Sequence, residues 1–114
     1  MDKTVKETIK EVIFNHLKKN NSLIFGQCLS AVGWVGGTIP ELTEDEGLVE
    51  LSMADVSNGG IVVGAGLMSK RPMYVIRYQG FNWYNCPMIV NYACKSKELW
   101  KVPCPIFVRG IGME

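Results

Sequence analysis

The chain has 114 residues, of which 47% are apolar and 20% charged, and its formal net charge is +1 at pH 7. Twelve basic residues are balanced by eleven acidic ones and form no basic stripe, so we expect no nucleic-acid partner. The apolar content is typical of a globular protein and excludes intrinsic disorder. We therefore expect residues 1–114 to form a single domain.

The N-terminal segment is charged from its second residue and lacks the apolar stretch of a signal peptide. The most apolar window, residues 59–68, is too short for a membrane helix, which needs about 20 residues. The cysteines form no CxxC pair, so they indicate reduced, buried thiols rather than a zinc site; they are Cys28, Cys86, Cys94 and Cys104. The sequence thus predicts a cytoplasmic protein with no membrane contact and no metal of its own.

The first predicted element is a helix that begins after Thr4. Apolar residues recur at helical spacing over residues 5–17, and Thr4 forms a capping box with Glu7. Residues 20–21, both asparagine, close the helix. His16 lies beside the apolar stripe near the helix end, where we expect a half-exposed or capping histidine rather than a catalytic one.

Four short apolar runs predict buried strands, at residues 22–25, 48–51, 73–77 and 105–109. A glycine-rich loop separates the first two strands, and the segment before the fourth is predicted to be helical in its second half. Strands that alternate with helices indicate an α/β fold with a mostly parallel sheet and flanking helices.

Residues 57–69 allow two interpretations. In the first, a strand runs into a Gly-x-Gly turn at residues 64–66, as in a dinucleotide site, but Pro72 would end the helix that must follow. In the second, the segment is a helix capped by Ser57 or Asp55. Its glycines then cost about 1 kcal/mol each relative to alanine. That cost is tolerated where bare backbone must closely approach another helix or a ligand.

Several short motifs follow one another along the chain: Ile24–Gln27, Asp55 before Gly60–Ala65, Arg71-Pro72, Phe81, Ile89–Asn91, Val102–Pro105 and Arg109-Gly110. In this order they resemble the pyrimidine-binding domain of the transketolase-like thiamine-diphosphate enzymes. The greatest similarity is to the beta subunit of the first component of 2-oxoacid (pyruvate) dehydrogenase. The resemblance extends from Val5 to Gly112.

The resemblance implies the thiamine-diphosphate-binding fold, as a pyrimidine domain that is incomplete at its C-terminus. It implies the pyrimidine-binding half of an oxidoreductase, a 2-oxoacid dehydrogenase or decarboxylase that depends on thiamine diphosphate. Asp55 stands where the family has the catalytic carboxylate that hydrogen-bonds the cofactor's aminopyrimidine ring. Phe81 stands where an aromatic residue stacks on that ring, and Gln27, Arg77 and Tyr84 are the other expected cofactor-binding residues.

The resemblance also implies a partner. In this family an alpha-type subunit holds the diphosphate and its Mg²⁺ with a Gly-Asp-Gly motif, which this sequence lacks. We therefore expect a heteromer, further self-association through helices, and no activity of this chain alone. The domain is expected to be truncated, because the family continues beyond the position of Glu114.

Three features keep an alternative open. Asp55 is one methylene shorter than the family's glutamate, Ser57 replaces a usual glycine, and the sequence stops at Glu114 whereas the family continues. Gln27 also replaces an acidic residue. The alternative is a non-catalytic interaction module, or a truncated remnant of a protein like transketolase or deoxyxylulose-phosphate synthase. In that case Asp55 caps the helix, Phe81 belongs to the core, and Gly60 and Gly64 serve helix packing.

Overall fold

The structure is a computed structural model that describes residues 2–19, 22–31, 33–76 and 87–111. Its helices are α1 (Val5–Lys19), α2 (Gly33–Gly37), α3 (Asp55–Leu67) and α4 (Ser96–Trp100), with a 3-10 turn at Glu44–Glu46 and a π-helical turn at Ile89–Ala93. The strands are β1 (Ile24–Gln27), β2 (Leu48–Leu51), β3 (Met73–Ile76) and β4 (Phe107–Gly110). Within these ranges no helix has both the length and the apolar character that crossing a bilayer requires.

The four strands form one parallel sheet in the order β2-β1-β3-β4. Ile24 of β1 lies opposite Leu48 on one side and Met73 on the other, and Met73 lies opposite Phe107. All four residues of β3 are buried, as expected for a strand with both faces covered. The predicted α/β class with a parallel sheet is confirmed.

The side chains of each strand alternate between the two faces of the sheet, and each face has its own core. On one face the sheet packs against α1, in a cluster that includes Ile13, Leu17, Ile24, Met73 and Val75. On the other face it packs against α3, through Phe25, Val62, Tyr74 and Ile76. The two helices therefore enclose the sheet between them.

The predicted start of α1 is present as a reciprocal capping box. Thr4 Oγ1 accepts a hydrogen bond from Glu7 N (3.2 Å), and Glu7 Oε2 accepts one from Thr4 N (2.8 Å). The backbone hydrogen bond from Thr4 lowers the pKa of Glu7. At the other end of the helix, His16 Nε2 lies 2.9 Å from the carbonyl oxygen of Arg71 and donates to it, which ties α1 to the segment before β3.

Three predicted elements differ from the structure. β4 begins at Phe107 rather than at residue 105 and extends to Gly110. β1 begins at Ile24 rather than at residue 22, because Ser22 donates its hydroxyl to the Arg71 carbonyl and lies outside the strand. The glycine-rich segment is the helix α3, so the interpretation of residues 64–66 as a dinucleotide-binding turn after a strand is wrong. The cysteines also differ from expectation, since Cys94 is exposed.

The loop between β1 and β2 contains a left-handed turn, α2, which the sequence did not predict. Trp34 and Val35 have φ angles of 51° and 44° within it. A left-handed conformation costs a non-glycine residue about 1–3 kcal/mol. Both side chains pack against the core on the α1 face, and Val35 N donates to Leu29 O at 3.0 Å, so tertiary contacts offset the cost.

Candidate functional site

The strand order creates a switch point at the carboxyl edge of the sheet. The chain passes from β1 to β2 on one side and later returns to β3 on the other side of β1. In open parallel sheets, ligands bind outside the carboxyl ends of the strands where the strand order reverses in this way. The candidate site is therefore the edge formed by the ends of β1, β2 and β3.

Gln27 is the last residue of β1 and is half-buried at this edge, opposite Leu51 in the register. The residue before it, Gly26, is tightly enclosed. A Cβ there would lie 2.6 Å from Leu29 Cδ2 and 2.8 Å from the Val75 carbonyl oxygen. The chain turns back over the sheet immediately after Gln27, and Cys28 adopts a left-handed φ of 52°.

Glu50 of β2 anchors this turn. Its Oε1 accepts hydrogen bonds from Ser30 N (2.7 Å) and Ser30 Oγ (2.8 Å), and its Oε2 accepts one from Leu29 N (3.0 Å). The sequence analysis did not identify Glu50 as a site residue. The available signal was a single acidic residue within the otherwise apolar strand Leu48–Leu51.

Asp55 begins α3 on the carboxyl side of β2, and Ser52, Met53 and Ala54 connect the two elements. The N-cap residue of α3 is Ala54, so the expectation that Asp55 or Ser57 occupies the N-cap position is wrong. The connection is fixed from within the helix by Asn58, which is 2% exposed and donates from Nδ2 to the Ser52 carbonyl at 2.7 Å. Asn58 is a second positioning side chain that sequence reasoning missed.

The glycines of α3 have different surroundings. A Cβ at Gly66 would lie 2.8 Å from Cys104 Sγ and 3.0 Å from Ile106 Cγ2, so Gly66 allows the helix to approach the segment before β4. A Cβ at Gly60 would lie 3.3 Å from Met88 Cε. At Gly64 a Cβ would meet no atom of the described chain within 4 Å. The expectation of helix packing therefore holds for Gly60 and not for Gly64.

Three predicted site residues, Arg77, Phe81 and Tyr84, lie outside the described residues. Of the predicted site residues that the structure describes, Gln27 and Asp55 lie at the same edge of the sheet.

Arg109 lies on β4, in register with Val75. Burial lowers the pKa of its guanidinium, and its buried Nη1 has no hydrogen-bond partner among the described residues. Over the described ranges, no three His, Cys, Asp or Glu side chains come together as a metal site.

We compared the sequence with models of known protein families and with curated protein sequences, and neither comparison gives a match.

Proposed function

We propose that this chain is the pyrimidine-binding half of a thiamine-diphosphate-dependent 2-oxoacid dehydrogenase or decarboxylase of the beta-subunit type. The observation that supports the proposal is the placement of Asp55 and Gln27. Asp55 starts a glycine-rich helix at the carboxyl end of β2, and Gln27 ends the adjacent strand β1. The motifs that resemble the family thus include two residues at the switch-point edge of a parallel sheet.

Two residues at this edge have the side-chain chemistry that an aminopyrimidine would need. Gln27 offers an amide that both donates and accepts hydrogen bonds at a half-buried position. Asp55 contributes a carboxylic acid residue at the first position of α3, next to the end of β2. When bound, thiamine diphosphate supplies the electron sink that allows a 2-oxo acid to lose CO₂.

Each residue of this chain then has a defined task. The Asp55 carboxylate would accept a hydrogen bond from the protonated 1′ nitrogen of the pyrimidine and so hold the proton there. Gln27 would hydrogen-bond the ring. The resemblance further assigns Phe81 to stacking on the ring and Arg77 and Tyr84 to binding it; these three residues lie outside the described part of the chain. The diphosphate and Mg²⁺ are held by an alpha-type partner subunit, because this chain lacks the motif that binds them.

The test is a calorimetric titration of thiamine diphosphate and Mg²⁺ into the chain mixed with the alpha subunit of a pyruvate dehydrogenase. We expect binding by the mixture and none by the chain alone. Asp55→Ala should weaken binding about 10–100-fold, the value of a hydrogen bond to a charged group. Asp45→Ala, in the exposed turn Glu44–Glu46, is the matched control and should bind as the unmodified chain does. If no mixture binds, or Asp55→Ala binds normally, the proposal fails.

The shorter side chain of Asp55 gives a second test in the same mixture. A displacement of about 1 Å can reduce the rate of a catalysed step about a hundredfold. Asp55→Glu should therefore raise the rate of 2-oxo acid decarboxylation. An unchanged or lower rate would show that the backbone already compensates for the missing methylene.

A second candidate, a non-catalytic interaction module, is favoured by an apolar groove between α1 and β4. The groove has a volume of about 360 Å³ and is lined by Ile9, Val12, Ile13, Met73 and Phe107, together with Thr8 and His16. Val12 is 62% exposed and Phe107 is 56% exposed. Under this candidate, a second copy of the chain covers the groove. Sedimentation velocity should then show a dimer that Val12→Lys dissociates, and a monomer at all concentrations would rule this candidate out. Because the first candidate also expects self-association, the dimer favours the interaction module only if no mixture binds thiamine diphosphate.

A further inference from the structure

One row of residues crosses the whole sheet just before its carboxyl edge. Glu50, Gly26, Val75 and Arg109 are successive partners in the register, so they share one face of the sheet. Val75 belongs to the core on the α1 face, which identifies the face. The turn formed by Cys28, Leu29 and Ser30, here called the β1 turn, folds back over this row.

The β1 turn is held at two points. Leu29 is fully buried, and its Cδ2 occupies the space where a side chain on Gly26 would lie. Glu50 holds the other side through three hydrogen bonds, from two backbone amides and one hydroxyl. Hydrogen bonds to an ionised acceptor are about twice as strong as neutral ones. The left-handed φ of Cys28 needs this support, because a non-glycine residue disfavours it.

We propose that Glu50 is a positioning residue of the candidate site: its carboxylate holds the β1 turn closed and thereby keeps Gln27 and Cys28 in place at the switch-point edge. The part of this proposal that concerns cofactor rests on the proposed function. The part that concerns the turn rests on the hydrogen bonds alone.

The first experiment measures how fast Cys28, which lies in the turn, is alkylated, and therefore needs no cofactor. Alkylation of Cys94 serves as the internal reference. Cys28 is half-buried, whereas Cys94 is exposed and directly follows the π-helical turn Ile89–Ala93. Glu50→Gln keeps the size of the side chain and replaces one acceptor oxygen with a donor, so the turn loses a charged partner. We expect the ratio of Cys28 to Cys94 alkylation, measured by peptide mass spectrometry, to rise about tenfold, the effect of losing one hydrogen bond to a charged group.

Two further variants make this result specific. Glu41→Gln changes an exposed glutamate on the loop before β2 and should leave the ratio unchanged. Ser30→Ala removes only the hydroxyl donor and should raise the ratio by a smaller factor; it also serves as the test if Glu50→Gln does not fold. If neither Glu50→Gln nor Ser30→Ala changes the ratio in folded protein, Glu50 does not hold the turn and the proposal is overturned.

The second experiment asks whether the turn matters to the site, using the titration of thiamine diphosphate and Mg²⁺ into the mixture with the alpha subunit. Side chains that orient a ligand-binding group are worth about tenfold in affinity at metal sites, and we expect a comparable loss for Glu50→Gln. The far-UV circular dichroism of the variant should remain that of the unmodified chain. If Glu50→Gln raises the alkylation ratio but the mixture still binds thiamine diphosphate with normal affinity, Glu50 does not position the site. If the unmodified mixture binds no cofactor, the proposed function fails, and the alkylation ratio alone decides whether Glu50 holds the turn.

Discussion

The two glycines near the end of α3 provide the sharpest test of the packing described here. Gly64→Ala and Gly66→Ala are the same substitution, two residues apart in one helix. In a helix, alanine is favoured over glycine by about 1 kcal/mol. A Cβ at Gly64 meets open space within the described chain, so we expect this variant to be more stable by up to that amount.

At Gly66 the new methyl group would lie 2.8 Å from Cys104 Sγ and 3.0 Å from Ile106 Cγ2. The sulfur cannot move freely, because the Cys104 thiol donates to the Val63 carbonyl at 3.3 Å. Overpacking of this kind costs about 1–3 kcal/mol. Both variants gain the same helix propensity, which cancels when the two are compared. Gly66→Ala should therefore be less stable than Gly64→Ala by the overpacking cost of about 1–3 kcal/mol.

Urea unfolding, followed by both circular dichroism and tryptophan fluorescence, measures the two free energies of unfolding. Coincident transitions by the two probes establish that a two-state analysis applies. If Gly66→Ala is as stable as Gly64→Ala, α3 does not approach the segment before β4 as closely as the structure shows.

Four further predictions concern the capping box, the cysteines and the core. Thr4→Ala should lower the free energy of unfolding by about 1 kcal/mol, and an unchanged value would contradict the cap. The pKa of Glu7 is lower in the folded protein than its ordinary value of 4.5. The ionised side chain therefore contributes fully to the free energy of unfolding above pH 4.5, and this contribution is lost as the pH falls through the folded pKa. Glu7→Gln should therefore flatten the dependence of stability on pH in that acidic range, as urea titrations at several pH values would show. Burial raises the pKa of the Cys104 thiol, so Cys104 should be alkylated more slowly than exposed Cys94 at mildly alkaline pH; equal rates by peptide mass spectrometry would refute this. Ile24 is 0% exposed in the central strand, so Ile24→Ala should cost about 2–5 kcal/mol in the same urea assay, and a loss below about 1 kcal/mol would contradict its burial.

The elements that local patterns determine could be predicted from the sequence. The helix α1 has a capping box and a helical apolar period, and β2 is an apolar run bounded by Gly47 and Ser52. For α3 the glycines left two interpretations, because glycine is compatible with both a turn and a closely packed helix. Pro72 counts against the turn, and the close contact of Gly66 with the segment before β4 explains why a helix here contains glycine.

The features that depend on distant contacts could not be predicted. The left-handed turn α2 places Trp34 and Val35 where local preference would not, since the core on the α1 face holds both side chains. The role of Glu50 depends on a turn 20 residues earlier in the chain. In the candidate site, the positions of Gln27 and Asp55 at one edge follow from the strand order, whereas Arg77, Phe81 and Tyr84 remain predictions.

The position of β1 in the sheet also affects how the chain folds. β1 is a central strand, yet its neighbour β3 is synthesised only after β2 and α3. Pairing between segments far apart in sequence must close a long loop before it gains contacts, so it is slow. Until β3 pairs with β1, the backbone N–H and C=O groups of Ile24–Gly26 on that side have no strand partner, which favours aggregation. We therefore expect the emerging chain to depend most on chaperones in the interval between completion of α3 and pairing of β3.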